Sequence, residues 1–297
     1  MTQLLSLAWQ PGKVVLVNLA SGEYRVIVED AGDHPDGIAC DGKTVYWTTM
    51  GAGVPADNPE GADYTARNAG LHAIDLNGSN RRDVIPQGGT TTGKQLVLDS
   101  KDNLYWGNRE GFSLATVRTD GTGLRDLVRR DGSQGQLDWI VGVAVDEDNG
   151  YVYWSQKGSY AGGDGRIFRA GLEIPDGETA ENRTDIETLW EGLPAPIDLE
   201  LMNGHLFWTD RGHQPGGNSL NRAPVPAPGE KGESPQTLAD GFQEAIGLAV
   251  DLDARVAYVS DLSGKIWVIP APENTRVQRH ALVSPGIPLT GLTLIEA

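Results

Sequence analysis

The stretch Gly142-Val143-Ala144-Val145-Asp146, followed after a short turn by Val152-Tyr153-Trp154-Ser155-Gln156, decides the fold. It pairs an apolar run ending in Asp with an aromatic doublet followed by a small polar residue. The same unit recurs as Gly37-Ile38-Ala39-Cys40-Asp41 with Val45-Tyr46-Trp47-Thr48-Thr49, and as Leu96-Val97-Leu98-Asp99 with Leu104-Tyr105-Trp106-Gly107-Asn108. Further copies are Ile197-Asp198-Leu199-Glu200-Leu201 with Leu206-Phe207-Trp208-Thr209-Asp210, and Gly247-Leu248-Ala249-Val250-Asp251 with Ala257-Tyr258-Val259-Ser260-Asp261. The second aromatic position falls at 47, 106, 154, 208 and 259, so the spacings are 59, 48, 54 and 51 residues. A period near 50 built from short strands is the signature of radial propeller blades.

The sixth copy is divided between the chain ends. Gly291-Leu292-Thr293-Leu294-Ile295 supplies its first strand and Leu5-Ser6-Leu7-Ala8-Trp9 its second. Pairing them closes a ring and removes exposed sheet edges. After the aromatic strands come further strand-like runs, such as Val14-Val15-Leu16-Val17 with Tyr24-Arg25-Val26-Ile27-Val28, and turn residues such as Asn77-Gly78 and Asp120-Gly121. No window shows helical periodicity. The expected fold is all-β: a six-bladed β-propeller of four-stranded antiparallel blades, one domain over residues 1–297, with one blade closed by the N- and C-terminal strands.

Composition agrees. The 297 residues include 39 Gly and 17 Pro, roughly a fifth of the chain against about 12% on average. With 24 Lys plus Arg against 41 Asp plus Glu, the net charge of −17 disfavours binding to nucleic acid or anionic membrane surfaces. No apolar run approaches the roughly 18 residues that span a bilayer, and the start lacks the basic n-region and small-residue cleavage site of a signal peptide. Cys40, the single cysteine, excludes an intramolecular disulfide and any multi-cysteine metal site. A cytoplasmic protein is expected.

The residues Tyr46-Trp47-Thr48, Tyr105-Trp106, Tyr153-Trp154-Ser155 and Phe207-Trp208-Thr209-Asp210 resemble the YWTD repeat of low-density-lipoprotein-receptor-type six-bladed propellers. The resemblance covers essentially the whole chain. The sequence departs from the receptor pattern in lacking cysteine-rich modules and in carrying Asp at the fourth motif position only at Asp210 and Asp261. Free-standing intracellular YWTD-like propellers occur in fungal and bacterial biosynthesis, where some act on small molecules. That resemblance implies a lyase or cyclase of secondary metabolism, one that eliminates water and guides a cycloaddition.

Long segments follow the aromatic strand in three units: 50–68 with about 19 residues, 157–165 with about 9 and 211–221 with about 11. Propeller turns need about 2–5. All three belong to one face, where binding evolves on a rigid scaffold. The residue four before the Asp that ends each inner strand, or its equivalent, is Gly37, Gln95, Gly142, Asp198, Gly247 or Gly291. Four glycines point to close backbone approach at a crowded axis. Gln95 and Asp198 break the pattern, either to contact a substrate or to cap a neighbouring blade's backbone.

The adjoining loops offer His34, Asp36, Lys94, Asp138, Trp139, Glu244 and Thr290, a mouth of opposed acids and bases suited to tuned proton transfer. Lys94, His34 and Asp36 are the proton-transfer candidates; Gln95, Asp198, Asp138, Glu244 and Thr290 are candidates to orient polar groups, and Trp139 to stack on substrate. The long loops add Tyr64, Arg67, Tyr160, Arg211 and His213. Asp41, Asp99, Asp146 and Asp251 read as turn formers.

Gly88-Gly89-Thr90-Thr91-Thr92-Gly93-Lys94-Gln95 approaches a phosphate-binding loop, but Gln95 stands where Ser or Thr must meet magnesium and a strand follows where a helix is needed. His34, His72, His205, His213 and His280 show no metal-ligand spacing. No cofactor motif or metal cluster is legible. The accessible chemistry is then dehydration, isomerisation or cyclisation of a small molecule in a water-poor pocket. Two alternatives compete: a scaffold whose acidic surface recruits a basic protein partner, and a calcium-dependent lactonase using Asp198, Glu200 and Gln95.

Overall fold

The computed structural model describes residues 3–58, 61–213, 215–270 and 278–295. Met1 and Thr2, the first residues of the start read above, lie outside them. Six four-stranded antiparallel sheets form, each ordered from the inside outward as the chain runs. The first blade joins Leu289–Ile295 to Gln3–Ala8, Lys13–Asn18 and Tyr24–Val28. The second holds Pro35–Cys40, Thr44–Thr49, Ala69–Asp75 and Arg82–Thr90, and the third Gly93–Leu98, Asn103–Asn108, Ser113–Arg118 and Arg125–Arg129. The fourth holds Val143–Asp146, Tyr151–Gln156, Gly165–Gly171 and Glu187–Leu193. The fifth holds Pro196–Met202, His205–Asp210, Ser219–Pro224 and Gln236–Asp240; the sixth holds Ala245–Asp251, Val256–Asp261, Ile266–Pro270 and His280–Val283. The terminal strands pair in register from Gln3 opposite Ile295 to Ser6 opposite Leu292, closing the ring as expected. Among the described residues no helix is long and apolar enough to cross a membrane.

Each seam between neighbouring blades encloses its own apolar cluster. Leu5, Leu7 and Val14 of the first blade meet Ile38 and Trp47 of the second, and Phe207 and Leu220 of the fifth meet Leu248 and Val259 of the sixth. The period-marking indoles of Trp47, Trp106, Trp154 and Trp208 are all fully buried here. Each removes on the order of 200 Å² from water, about 5 kcal/mol before the entropy of ordering is counted. The second strands of the blades, such as Thr44–Thr49 and Tyr151–Gln156, therefore show almost unbroken burial rather than alternation, because blades cover both faces of one another.

The polar residue after the second aromatic has a specific task. In the second blade the Gly37 amide donates to Thr48 Oγ1 at 3.0 Å, and that hydroxyl donates to the Lys94 carbonyl of the third blade at 2.7 Å. Ser155 links the Gly142 amide to the Ile197 carbonyl at 2.7 and 2.6 Å, and Thr209 links the Asp198 amide to the Ile246 carbonyl at 3.1 and 2.6 Å. Ser260 repeats the bridge between the Gly247 amide and the Thr290 carbonyl. The remaining two seams use other means. Gly107 stands where the hydroxyl would be, and a Cβ there would lie 2.6 Å from the Ile140 carbonyl, so the backbones meet directly. Between the first and second blades, Thr290 Oγ1 donates to the Pro35 carbonyl at 2.8 Å.

The inner-strand glycines are required by this closeness. A Cβ on Gly37 would sit 2.3 Å from the Lys94 carbonyl, on Gly142 1.9 Å from that of Ile197, and on Gly291 2.5 Å from that of Asp36. The expected turn role of the recurrent aspartates is also present. Asp41 Oδ1 accepts the Lys43 and Thr44 amides, Asp99 Oδ1 accepts those of Lys101 and Asn103, and Tyr105 donates its hydroxyl to Asp99 Oδ2 at 2.9 Å.

Replacing a bridging hydroxyl strands a buried amide and a buried carbonyl together. Thr209→Val is expected to cost about 3 kcal/mol in urea unfolding, whereas Ser6→Ala, whose buried hydroxyl makes no such bridge, is expected to cost less than about 1 kcal/mol. Equal costs for the two would show that the bridges carry no stability.

Candidate functional site

Two six-membered rings of side chains define the mouth, one residue from each blade. The lower ring comes from the position before the inner-strand glycine: Thr290, Asp36, Lys94, Val141, Ile197 and Ile246, in blade order. All six are buried. Val141, Ile197 and Ile246 pack as an apolar plug with Leu262 against them. Thr290, Asp36 and Lys94 form the polar half. The upper ring comes from the residue that immediately follows each six-residue aromatic strand: Trp9, Met50, Arg109, Lys157, Arg211 and Leu262. A cavity of about 190 Å³ opens between the rings, walled by Trp9, Met50 and Leu262 on one side and Arg109 and Arg211 on the other, with Asp36 and Lys94 exposed to it.

At its floor the Lys94 ammonium donates to Asp36 Oδ2, and Gln95 Nε2 donates to Asp36 Oδ1 at 3.0 Å. Lys94 Nζ also lies 3.6 Å from the Met50 sulfur. Burial pulls the Lys94 ammonium below the usual lysine range; Asp36 opposes that, and Arg109 adds to it. A lysine so placed exchanges its proton more readily than one in water.

The other sequence candidates divide by position. Tyr64 and Thr290 line the cavity directly. His34, held in a left-handed conformation (φ 52°), accepts no place on the cavity wall but backs it: its ring lies 4.7 Å from Trp9 and 5.5 Å edge-on to Tyr64, with Nδ1 3.0 Å from the Gly51 carbonyl. Arg211 pairs with Glu244 at 2.5 Å, and both face the cavity. Tyr160 and His213 meet edge-to-face at 6.0 Å above a second hollow of about 200 Å³. That hollow shares Tyr160, Arg211 and Glu244 with the first.

Trp139 stands behind the upper ring with Arg109 and Lys157 over its indole at 4.7 and 5.0 Å. Those cations occupy the ring that was expected to stack on substrate. Asp138 is buried and accepts the Gln134 amide at 3.0 Å within its own turn. Arg67 lies elsewhere: it donates to the Gly88 and Gly89 carbonyls and lines a groove beside the outer strands of the third blade. Asp198 caps the neighbouring blade, accepting the Leu248 amide at 2.9 Å and its own successor's at 3.0 Å. Burial and then Glu200 hold its carboxyl well above the ordinary range. Among the described residues, no three His, Cys, Asp or Glu side chains gather as a metal site.

Sequence reasoning missed Arg109, Lys157, Trp9 and Met50 as mouth residues. The signal was available: all four occupy the same repeat position as Arg211, one residue past the aromatic strand. Arg109, fully buried, pairs with Glu110 at 2.6 Å and lies 5.6 Å over the Tyr64 ring.

No protein-family model matches the chain. It is 34% identical over 302 residues to a Pyricularia oryzae protein named low-density lipoprotein receptor-related protein 1, covering 96% of this chain and 92% of that one. It is 36% identical over 264 residues to the 3-hydroxyacyl-CoA dehydrogenase-like protein LAM1 of Cochliobolus heterostrophus, covering 82% of this chain and 53% of that one. The chain thus spans about half the length of the second relative. Among solved structures, it superposes on a chain of the nidogen/laminin complex with a TM-score of 0.74 at 17% identity, covering 100% and 99% of the two chains. On a luciferin-regenerating enzyme the TM-score is 0.58 at 12% identity, with 86% and 78% covered. Those two likenesses are of fold. The chain belongs to the low-density-lipoprotein-receptor-related family of YWTD-type six-bladed propellers.

Asp210 anchors the loop that carries Arg211, accepting the Ala195 and Gly212 amides at 2.8 and 2.9 Å. Burial pushes its carboxyl up to about 7 against those two amides. A carboxyl raised on folding contributes stability that is complete below its unfolded pKa of about 3.9 and is lost as pH rises through 7. Asp210→Asn keeps the acceptor and removes the titration. Its stability relative to wild type is expected to rise between about pH 4 and pH 7 and level off above, as read by urea unfolding at stepped pH. A difference independent of pH would contradict the assignment.

Proposed function

We propose that the protein is a small-molecule enzyme acting at the channel mouth, a lyase or cyclase that works by proton transfer. The carrying observation is the Lys94–Asp36–Gln95 network at the floor of a cavity flanked by the Trp9 and Tyr64 rings. An ammonium and a carboxylate in contact, both shielded from water, form an acid and a base within reach of one bound molecule. In an elimination, Asp36 takes a proton from a carbon next to the one bearing a hydroxyl. The C–H electron pair becomes the new double bond, and the hydroxyl departs as water with a proton from Lys94. Transfer of the captured proton from Asp36 to Lys94 across their hydrogen bond restores the starting state. Gln95 holds the second carboxylate oxygen and so fixes which lone pair faces the substrate. The apolar walls then hold the unsaturated product in one folded shape, which favours ring closure by orientation.

The enzymatic reading draws support from the relative whose name refers to a 3-hydroxyacyl-CoA dehydrogenase-like protein. The partner proposed is a small hydroxylated molecule rather than nucleic acid or membrane, and the proposed location is the cytoplasm, in keeping with a chain that carries a single cysteine.

Incubating the purified protein with a panel of β-hydroxy carbonyl compounds, and following loss of water by mass spectrometry, tests the reading. Turnover is expected for a subset of the panel, and Lys94→Ala and Asp36→Asn are each expected to reduce it by a factor of about 10² or more. Folded variants that keep full turnover would overturn it.

A further inference from the structure

We infer that Lys94 is also an amine nucleophile, and that the mouth captures aldehydes and ketones of apolar body as a Schiff base on its Nζ. The inference rests on the reading of the mouth as a small-molecule site and adds a covalent step to it.

The floor has the parts this chemistry needs. Lys94 is buried, yet it lines the cavity of about 190 Å³ together with Asp36. Around its Nζ stand a proton acceptor, Asp36 Oδ2, and the Met50 sulfur at 3.6 Å. Gln95 occupies the other carboxylate oxygen at 3.0 Å, which leaves Oδ2 as the one that trades protons with Nζ. Trp9, Ile246 and Leu262 supply apolar wall, and a site that limits water protects an imine from hydrolysis. Burial, reinforced by Arg109, favours the neutral amine that attacks a carbonyl, against the opposing pull of Asp36. Lys43 and Lys101, by contrast, stand exposed in turns.

The step balances within the pair. The Lys94 ammonium first passes a proton to Asp36, and the freed lone pair bonds the carbonyl carbon. The carbonyl π pair moves onto oxygen, which takes the proton from Asp36, and Nζ returns a proton to the carboxylate. The resulting hydroxyl leaves as water with that proton while the nitrogen lone pair forms C=N. The iminium carries the same charge as the ammonium it replaces, so Asp36 is never left as an unpaired buried charge. It also draws electrons from the adjacent carbon, whose proton Asp36 then removes to give an enamine. On a β-hydroxy carbonyl compound the enamine electrons expel the hydroxyl, which takes its proton from Asp36. In this covalent route Asp36 is therefore both base and acid, and hydrolysis of the unsaturated iminium frees Lys94.

Reductive trapping tests this without a known substrate. The full chain is incubated with benzaldehyde and sodium cyanoborohydride near neutral pH, and benzyl groups are mapped by peptide mass spectrometry. Lys94 is expected to be labelled at least about tenfold faster than Lys43 and Lys101, and the preference is expected to vanish in urea beyond the unfolding transition. Lys94→Arg keeps a cation beside Asp36 without a nucleophile and is expected to lose the fast uptake of label by the intact chain. Should that variant fail to fold in thermal melts, the wild-type map decides. Labelling of Lys94 no faster than of the exposed lysines, faster labelling of Lys157, or a preference that survives unfolding would overturn the inference. Selective capture with no turnover of the hydroxy carbonyl panel would sink the elimination and leave the amine site standing; turnover with no capture at Lys94 would do the reverse.

Discussion

One hydroxyl group, placed after the aromatic doublet of a repeat, holds each blade to the next at four of the six seams. It accepts the amide of its own inner strand and donates to the carbonyl of the neighbouring inner strand. Inner-strand edges facing a channel would otherwise present buried donors and acceptors with no sheet partner, and each such group costs roughly 1–3 kcal/mol. The bridge satisfies both at once and sets the distance between blades. That distance in turn admits no side chain at Gly37, Gly142 and Gly247. In the second and fourth blades the hydroxyl, the glycine and the buried indole (Thr48, Gly37 and Trp47; Ser155, Gly142 and Trp154) are three parts of a single packing geometry.

The same geometry gives the mouth its chemistry. With the inner strands fixed, the residue before each glycine is directed to the axis and the residue after each aromatic strand to the rim. At the lower position the backbone carbonyls of Lys94, Ile197, Ile246 and Thr290 take part in the seams, whereas the side chains, apart from that of Thr290, do not. Half of the lower ring is an apolar plug, and the other half holds Asp36 and Lys94 in contact. Breaking such a pair by removing one partner leaves a buried charge, which is costly. On the proposed function, this buried contact is what sets the acid and the base side by side.

Much of the fold was legible because a propeller repeats its packing problem six times. The indoles, the inner-strand glycines and the turn aspartates each recur at one place in the unit, so chance agreement is excluded by periodicity. The site was legible where a residue breaks a repeat. Gln95 and Asp198 both depart from glycine, yet they do different things: Gln95 reaches Asp36 at the cavity floor, while Asp198 caps the Leu248 amide across the fifth seam. Pattern alone does not separate these, because a polar side chain near the axis meets either another side chain or a backbone edge, depending on local register. Arg109 and Lys157 went unread for the opposite reason. They sit at a repeat position whose six occupants range from Trp and Met to Arg, Lys and Leu, and variation conceals a position unless it is aligned by the strand that precedes it. Trp139 shows a third limit: its place near the mouth follows from the sequence, but the two cations over its ring do not.

Native-state hydrogen exchange on the amides of Gly37, Gly142, Asp198 and Gly247 tests the bridged ring most directly. All four donate to bridging hydroxyls. A closed ring sewn in this way requires them to exchange together, with opening free energies equal to that of global unfolding. Fast exchange of one amide at a free energy well below the global value, with the others still protected, would show that a blade opens by itself and that the hydroxyls do not hold the ring.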